Sequence, residues 1–366
     1  MKISRIARIS AVGAVAALAL AGCAANETPA PGGSDKPTAS SLSGNLVGGG
    51  ATSQEVAISA WTKQFQTANP DVTVDYDPQG SGTGRESFAA GAYTFAGSDR
   101  AFKTDELTSM TFKGCAADSG IVEVPAYISP IAVIFNLDGV DKLELDPQTL
   151  AGIFAGTITK WNDPKIAATN SGVTLPDLAI NPVHRADKSG TTGNFTDYLG
   201  AAAADVWTHG SVEEWPIKSG EAAQGTSGVV QAVEGGKGTI GYADASRAGK
   251  LGTVSVKVGD KFVGYSPEAA AAIVDHSPLE ERKGKGDLAV KLDRTSDKEG
   301  VYPIVLVSYL IGCEQYADAK QAALVKGFFN VAISADGQKA AAEAAGSAPI
   351  SDDLRTKAQA AVDLIK

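Results

Sequence analysis

The stretch that organises this chain is Arg185-Ala186-Asp187-Lys188-Ser189-Gly190-Thr191-Thr192-Gly193. It begins with a guanidinium, passes a carboxylate and ends in hydroxyls and glycines. The residues from Phe195 to Leu199 then continue with apolar side chains at helical spacing. This pattern predicts a helix whose N-cap is Ser189 or Thr191. A fixed cation beside the positive end of a helix makes a binding site for a small oxyanion. The alternative is a capped surface helix with an ordinary Arg–Asp pair.

Two earlier stretches repeat this combination of glycine, hydroxyl and helix start. In the first, a glycine turn at Gly48–Gly50 precedes Thr52 and Glu55, which have the spacing of a capping box. In the second, Gly80-Ser81-Gly82-Thr83-Gly84 follows an alternating strand and precedes a helical segment. The second stretch is not a dinucleotide-binding fingerprint, because Arg85 stands where a third spaced glycine is needed.

The three stretches predict one shared site, because in an α/β protein such turns lie at the carboxyl ends of strands, where ligands usually bind. The predicted helix caps are Thr52 or Ser53, Ser81, and Ser189 or Thr191. If they converge, backbone N–H groups, hydroxyls and Arg185 surround a volume suited to a tetrahedral oxyanion. Arg185 would donate two parallel hydrogen bonds, and Asp187 would hold its guanidinium in place. The alternative is three unrelated helix caps.

The order of strand and helix patterns predicts an α/β protein with mainly parallel sheets. At 366 residues, the chain is long enough for two lobes. A β-branched run from Ile121 to Leu137, interrupted by two prolines, is interpreted as one strand that leaves the first lobe and another that enters the second. Residues 276–300 are polar and charged, and we expect them to lie at the surface.

Residues 1–22 have the composition of a secretory signal, with three basic residues before an apolar stretch too short to span a membrane comfortably. Leu20-Ala21-Gly22-Cys23 resembles the lipobox of bacterial lipoproteins, in which the cysteine is diacylated after cleavage. We therefore expect Cys23 to anchor the protein to the extracytoplasmic face of the cell membrane. Residues 23–44 are predicted to form a flexible polar tether. The alternative is an ordinary secretory signal with an unrelated cysteine.

Two cysteines, Cys115 and Cys313, are left once Cys23 is assigned to the lipid. In an oxidising compartment this pair suggests one disulfide, and the alternative is two buried free thiols. A bond would return the C-terminal part of the chain to the first lobe. The predicted boundaries are residues 45–127 and 303–366 for lobe I and residues 128–302 for lobe II. Two strands would then cross between the lobes as a hinge, with the site in the cleft beneath it.

Charge and motif content argue against several classes of function. The net charge is −10, and it becomes −13 without the three basic residues of the signal, which disfavours binding to nucleic acid or to anionic lipid surfaces. The sequence has no Gly-x-Ser-x-Gly elbow, no Walker A loop and no His-Glu-x-x-His motif, and its three histidines are widely spaced. We expect no catalytic residues, no metal and no cofactor. A secreted phosphatase or serine hydrolase is the enzyme alternative.

The chain resembles the PstS-type phosphate-binding proteins, the substrate-binding subunits of ABC phosphate importers. The segments that carry the resemblance are Ala51-Thr52-Ser53, Gly80–Gly84, Gly97-Ser98-Asp99, Arg185–Thr191 and Phe154–Pro164. They occur in the family's order, and the resemblance covers essentially all of the chain after the tether. It implies a two-lobed type II periplasmic-binding-protein fold with hinge closure over a ligand cleft. It also implies inorganic phosphate and ABC permease subunits as partners of a monomer.

The resemblance also implies a role for individual residues. The implied phosphate contacts are Thr52, Ser53, Ser81, Asp99, Arg185, Ser189, Gly190 and Thr191. Most of them donate hydrogen bonds, whereas Asp99 is the family's acceptor for a phosphate proton and Asp187 supports Arg185. One departure is Ser53, where many family members carry an aromatic residue. Only its backbone N–H is needed for the contact, so we expect the contact to survive in a cleft with a different wall.

Two other functions stay open on the sequence alone: a binding site for a different oxyanion, and a surface lipoprotein that binds no anion. A site for sulfate or molybdate would use the same donors, but a buried carboxylate such as Asp99 would repel an anion that has no proton to share. An inert surface or adhesive lipoprotein would need no converging donors at all. A phosphate titration distinguishes these alternatives.

Overall fold

The structure is a computed structural model that describes residues 42–366. The predicted signal peptide, Cys23 and most of the predicted tether lie outside the described residues. The strands are β1 Ser43–Gly50, β2 Asp71–Asp77, β3 Phe95–Ser98, β4 Ile121–Phe135, β5 Lys142–Leu145, β6 Asn181–Arg185, β7 Glu221–Ala223, β8 Thr239–Asp244, β9 Gly252–Val258, β10 Lys261–Val263 and β11 Val305–Cys313.

Helices cover and connect these strands. They are α1 Glu55–Ala68, α2 Ser81–Ala89, α3 Thr104–Ser109, α4 Pro147–Phe154, α5 Pro164–Thr169, α6 Gly190–Ala202, α7 Gly225–Gly235, α8 Pro267–Asp275, α9 Ala319–Ile333, α10 Ala335–Ala345 and α11 Asp352–Asp363, with a 3-10 turn at Ala245–Arg247. Among residues 42–366, no helix combines the length and the apolar composition that a membrane-spanning helix requires.

The strands form one curled sheet in the order β2-β1-β3-β11-β4-β8-β6-β7, and β9 pairs with β4, β5 and β10. We call β1, β2, β3 and β11 the β1 half-sheet, and β5 to β10 the β8 half-sheet. β1 is parallel to β2 and β3, and β6 is parallel to β7 and β8. The middle of the sheet is antiparallel, because β11 runs against both β3 and β4, and β4 runs against β8. The α/β class is therefore confirmed, but the prediction of mainly parallel pairing is wrong.

Strand β4 belongs to both half-sheets. Residues 121–130 pair with β11, and residues 131–135 pair with β8. The run that the prolines were expected to divide into two strands is thus a single strand of 15 residues, buried throughout. Pro125 lies where the β4–β11 register shifts at a bulge, and Pro130 lies opposite the first residue of β11. At these positions a missing N–H disrupts the ladder least, which explains why the strand continues.

The chain returns to the β1 half-sheet at its C-terminal end. The Sγ atoms of Cys115 and Cys313 are bonded, and the two Cα atoms lie 5.4 Å apart. Helices α9 and α10 pack against α1. Phe328 of α9 contacts both Phe65 of α1 and Phe95 of β3. The structure therefore contains the predicted disulfide between sequence-distant segments.

Residues 276–300 contain no helix and no regular strand, as their composition suggests. They do not lie wholly at the surface, however. Leu288 and Ala289 are buried, and the backbone of this segment exchanges hydrogen bonds with Glu123 of β4. Its Arg294 is 5% exposed. The prediction of a surface excursion is wrong for this part, because local polarity does not reveal the distant partners that pair the charged groups.

Candidate anion-binding site

Three strand ends and two helix starts meet at one place. Residues 51–53 follow β1, Asp99 follows β3, and Asp187 and Ser189 follow β6. The Gly80 N–H before α2 donates to the Gly50 carbonyl at 2.8 Å, and the Ala51 N–H donates to the Gly97 carbonyl at 2.8 Å. All eight predicted contact residues are buried. The structure thus collects them from both half-sheets around one small volume.

Asp99 lies at the centre of this group. Its Oδ1 accepts a hydrogen bond from Ser53 Oγ at 2.6 Å, and its Oδ2 accepts one from Thr191 Oγ1 at 3.0 Å. The backbone N–H of Asp99 donates to Ser81 Oγ at 3.1 Å. Gly190 fits against the same residues, since a Cβ there would lie 2.4 Å from Ser81 Oγ and 2.7 Å from Asp99 Cβ. Any side chain at residue 190 would therefore displace the residues around Asp99.

Burial sets the acid–base behaviour of Asp99, which is only 2% exposed. Loss of solvent raises the pKa of this carboxyl, and the hydrogen bonds from Ser53 and Thr191 and the charge of Arg185 oppose the rise only in part. A carboxylate in such a position gains from a ligand that brings a proton to share.

Arg185 supplies the cation and is 3% exposed. Its Nε donates to Asp187 Oδ1 at 2.7 Å, and its Nη2 donates to Asp187 Oδ2. Asp187 Oδ1 also accepts from the Gly225 N–H at 3.0 Å. The carboxylate thus fixes the guanidinium by one edge, which leaves the edge formed by Nη1 and Nη2 for an anion.

Ser189 is the N-cap of α6, because its Oγ accepts a hydrogen bond from the Thr192 N–H at 3.2 Å. This confirms the predicted helix start and decides between its two candidate caps. Gly190 and Thr191 then occupy the first turn, where backbone N–H groups have no partner within the helix. The positive end of the α6 dipole therefore lies beside Asp99 and Thr191.

The other two predicted caps are wrong. Helix α1 has Gln54 as its N-cap, with no side-chain capping bond, so Thr52 and Glu55 do not form a capping box. Ser81 is the first residue of α2, whose N-cap is Gly80 at φ 104°. The hydroxyls of Thr52 and Ser81 are directed instead to partners far along the chain, and such partners compete with capping.

Thr226 is a site residue that the sequence reasoning missed. Its Oγ1 lies 2.9 Å from Thr52 Oγ1, and its backbone N–H donates to the same atom at 3.2 Å. Thr226 is in the first turn of α7, which begins at Gly225. The run Gln224-Gly225-Thr226-Ser227 is a fourth glycine–hydroxyl helix start, and this signal was present in the sequence.

Asn194 and Asp244 were also missed. Asn194 Nδ2 donates to the carbonyl oxygens of Asp99 and Gly190, at 2.7 Å and 3.0 Å. Asp244 ends β8 as a second buried carboxylate, and both of its oxygens accept from Tyr127 Oη at 3.1 Å. Burial raises the pKa of Asp244 to about 6. Within residues 42–366, no three His, Cys, Asp or Glu residues lie close enough to hold a metal ion.

Comparison with known proteins gives a consistent result. A family model described as a PBP superfamily domain matches residues 35–336. Phosphate-binding protein PstS 3 of Mycobacterium tuberculosis is 33% identical over 327 residues, which cover 87% of this chain and 86% of that protein. PstS 2 of the same species is 34% identical over 329 residues, 87% of each chain. Phosphate-binding protein PstS of Xylella fastidiosa is 32% identical over 307 residues, 81% of this chain and 79% of that protein.

Solved structures share the fold. The high affinity periplasmic phosphate-binding protein PfluDING, bound with phosphate, matches with a TM-score of 0.70 at 24% identity, over 87% of this chain and 93% of that one. A phosphate-binding protein from Stenotrophomonas maltophilia matches with a TM-score of 0.66 at 20% identity, over 87% and 94%. The expected type II periplasmic-binding-protein fold is confirmed, and the chain belongs to the family of PstS-type phosphate-binding proteins.

Proposed function

We propose that this protein binds inorganic phosphate outside the cytoplasm and delivers it to the permease of an ABC phosphate importer. The observation that carries the proposal is the buried Asp99, an acceptor among hydroxyl and N–H donors and beside the fixed cation Arg185. At neutral pH phosphate keeps a proton, which it can donate to Asp99 while its other oxygens accept from the donors. The names of the PstS relatives support the same ligand.

The proposed contacts are Thr52, Ser53, Ser81, Asp99, Arg185, Ser189, Gly190 and Thr191, with Asp187 behind the cation. Their burial and mutual hydrogen bonds support this set. Sulfate or molybdate is the second candidate ligand, and the ionised Asp99 argues against both because neither offers a proton at neutral pH. We propose no catalytic role, since the relatives are named as binding proteins.

We further propose that lobe I (residues 45–127 and 303–366) and lobe II (residues 128–302) close on the ligand. The change of β4 partner between Pro130 and Ile131 supports a hinge there. A lipid on Cys23 would tether the monomer to the membrane, and this proposal rests on the sequence of residues 20–23.

Isothermal titration calorimetry with phosphate and with sulfate tests the function. Purified protein, freed of bound anion, should bind one phosphate per chain and should bind sulfate far more weakly. Equal affinity for both anions would favour a general oxyanion binder. Release of phosphate from an ester substrate would favour the enzyme alternative.

A further inference from the structure

Glu213 joins two arginines that the anion site itself does not use. It lies between α6 and β7, and its Oε2 accepts from Arg85 Nη2 at 2.6 Å and from Arg100 Nη2 at 2.8 Å. The Arg85 side chain is 2% exposed, that of Glu213 is 10% exposed and that of Arg100 is 20% exposed. Two cations therefore share one nearly buried carboxylate.

The residues of this ion pair are directly attached to the anion site. Arg85 lies on α2, the helix that begins with Ser81, and Arg100 follows Asp99 in the chain. On the other side, the Glu213 carbonyl accepts from the Ser189 N–H at 3.0 Å, at the start of α6. The cluster of Arg85, Arg100 and Glu213 thus connects two sides of the site. The Ser81–Asp99 side belongs to the β1 half-sheet, and the α6 side follows β6 of the β8 half-sheet.

The charges of this cluster favour the ionised state of Glu213. Burial alone raises its pKa, but the charges and hydrogen bonds of Arg85 and Arg100 outweigh burial, and the net pKa lies below the ordinary value. Arg100 is also held by Glu106, through Nη1 at 2.7 Å and Nη2 at 2.8 Å. Glu106 lies on α3, on the same side as Arg100, so Glu213 supplies the acidic link to the opposite side.

An ion pair of this kind contributes only when its two sides are together. Breaking it leaves Arg85 buried without its carboxylate, which is costly in a nearly dry site. A contact that stabilises only the ligand-binding arrangement raises the fraction of molecules in that arrangement and strengthens the apparent affinity by the same factor. Most such changes appear in the dissociation rate.

From this geometry we infer that Glu213 is a closure residue, which holds the α6 side of the site against the Ser81–Asp99 side and slows the release of bound phosphate. This inference rests on the proposed function, because it assigns a positioning role to a residue that does not contact the anion. Glu213 would set how long phosphate stays, while Asp99 would set which anion is accepted.

The test compares Glu213→Gln with wild type by stopped-flow binding of phosphate, together with calorimetry of phosphate and sulfate. We expect phosphate dissociation to be roughly tenfold faster or more, which corresponds to at least about 1.4 kcal/mol. The association rate should change much less, and the phosphate-to-sulfate ratio should stay as in wild type because Asp99 is intact. Glu214→Gln is the matched control, since the neighbouring Glu214 is exposed, and it should bind like wild type.

Further measurements keep the inference testable if Glu213→Gln fails to fold. Arg100→Gln removes one of the two contacts of Glu213, from the more exposed side. It should release phosphate faster than wild type, but by a smaller factor than Glu213→Gln, because Arg85 still holds Glu213. If both variants fold, the double variant should be less impaired than the sum of the singles, because Glu213→Gln already removes the contact that Arg100→Gln breaks. A dissociation rate within twofold of wild type for a folded Glu213→Gln variant would refute the closure role. Where that variant does not fold, an Arg100→Gln rate equal to that of wild type would refute it.

Failure of the proposed function gives a different result. Neither wild type nor Glu213→Gln would then bind phosphate. In that case, small-angle scattering still tests closure, because Glu213→Gln should have a larger radius of gyration than wild type if the pair holds the two sides together. An unchanged radius would refute closure independently of the ligand.

Discussion

Asp99→Asn tests how the site chooses between two anions of nearly the same shape. The variant keeps the size of the side chain and the Asp99 N–H bond to Ser81 Oγ at 3.1 Å. Ser53 and Thr191 lie 2.6 Å and 3.0 Å from the two carboxylate oxygens, and their hydroxyls can turn to accept from the new amide. We therefore expect an intact fold with one obligate acceptor removed.

The size of the effect follows from counting what each anion gains or loses. Phosphate loses a charge-assisted hydrogen bond to a buried carboxylate, worth about 1.5–3 kcal/mol. In wild type, a sulfate oxygen would face the Asp99 carboxylate with no proton between them, and such a buried contact between two acceptors costs about 1–3 kcal/mol. Asp99→Asn removes this cost for sulfate. Both anions carry negative charge near Asp99, so their electrostatic repulsion from this carboxylate largely cancels when the two affinities are divided. The phosphate-to-sulfate affinity ratio should fall by roughly two to four powers of ten.

Calorimetric titration of both anions into wild type and Asp99→Asn measures this ratio. Asp75→Asn is the matched control, because it makes the same charge change at an exposed residue of β2 and should leave both affinities unchanged. Circular dichroism and urea unfolding confirm that the variant is folded. If Asp99→Asn excludes sulfate as well as wild type does, Asp99 is not the discriminating residue and the argument fails.

Four more outcomes are expected. Arg185→Ala should weaken phosphate binding by about 2–5 kcal/mol in calorimetry, since it removes the buried cation, and near-normal binding would place the site elsewhere. Serine at both Cys115 and Cys313 should lower the free energy of unfolding in urea by up to about 5 kcal/mol, as expected for a bond across a sequence separation of 198, with phosphate affinity unchanged. Cys23→Ser should abolish lipid attachment, so a lipidated N-terminal peptide in the mass spectrum of this variant would contradict the anchor. Folding raises the pKa of Asp244 from 3.8 to about 6. The contribution of this carboxyl to the free energy of unfolding is therefore complete below about pH 4, and it is lost as the pH rises through 6. Relative to wild type, Asp244→Asn should therefore gain up to about 3 kcal/mol in unfolding free energy between pH 4 and pH 7, and a pH-independent difference would contradict this sign.

Local signals were sufficient where a short stretch carries its own partners. Arg185, Asp187 and the Ser189 cap lie within five residues, and the structure brings them together as expected. The strand around Pro125 was predicted wrongly for a related reason, because a rule about one residue does not reveal the bulge in β4 beside Pro125, where the pairing with β11 shifts.

Contacts between distant segments were beyond sequence reasoning. Thr52 has the spacing of a capping box, yet its hydroxyl pairs with Thr226, which is 174 residues away. Glu213 carried no signal at all, since one carboxylate among many in an acidic chain does not reveal that two arginines surround it. The α/β fold class needs only the order of the elements, whereas these pairings depend on how the sheet curls.

The double membership of β4 has a consequence for how the chain is made. Its first ten residues are buried and pair with β11, whose first residue, Val305, follows Pro130 by 175 residues. The β8 half-sheet can assemble from contiguous chain while it emerges, but Ile121–Pro130 must wait as an unpaired apolar edge. An unpaired edge of this kind can pair with other chains. The nascent protein is therefore most prone to aggregate in the interval before residues 305–313 appear, and a holding chaperone would act on this segment of β4.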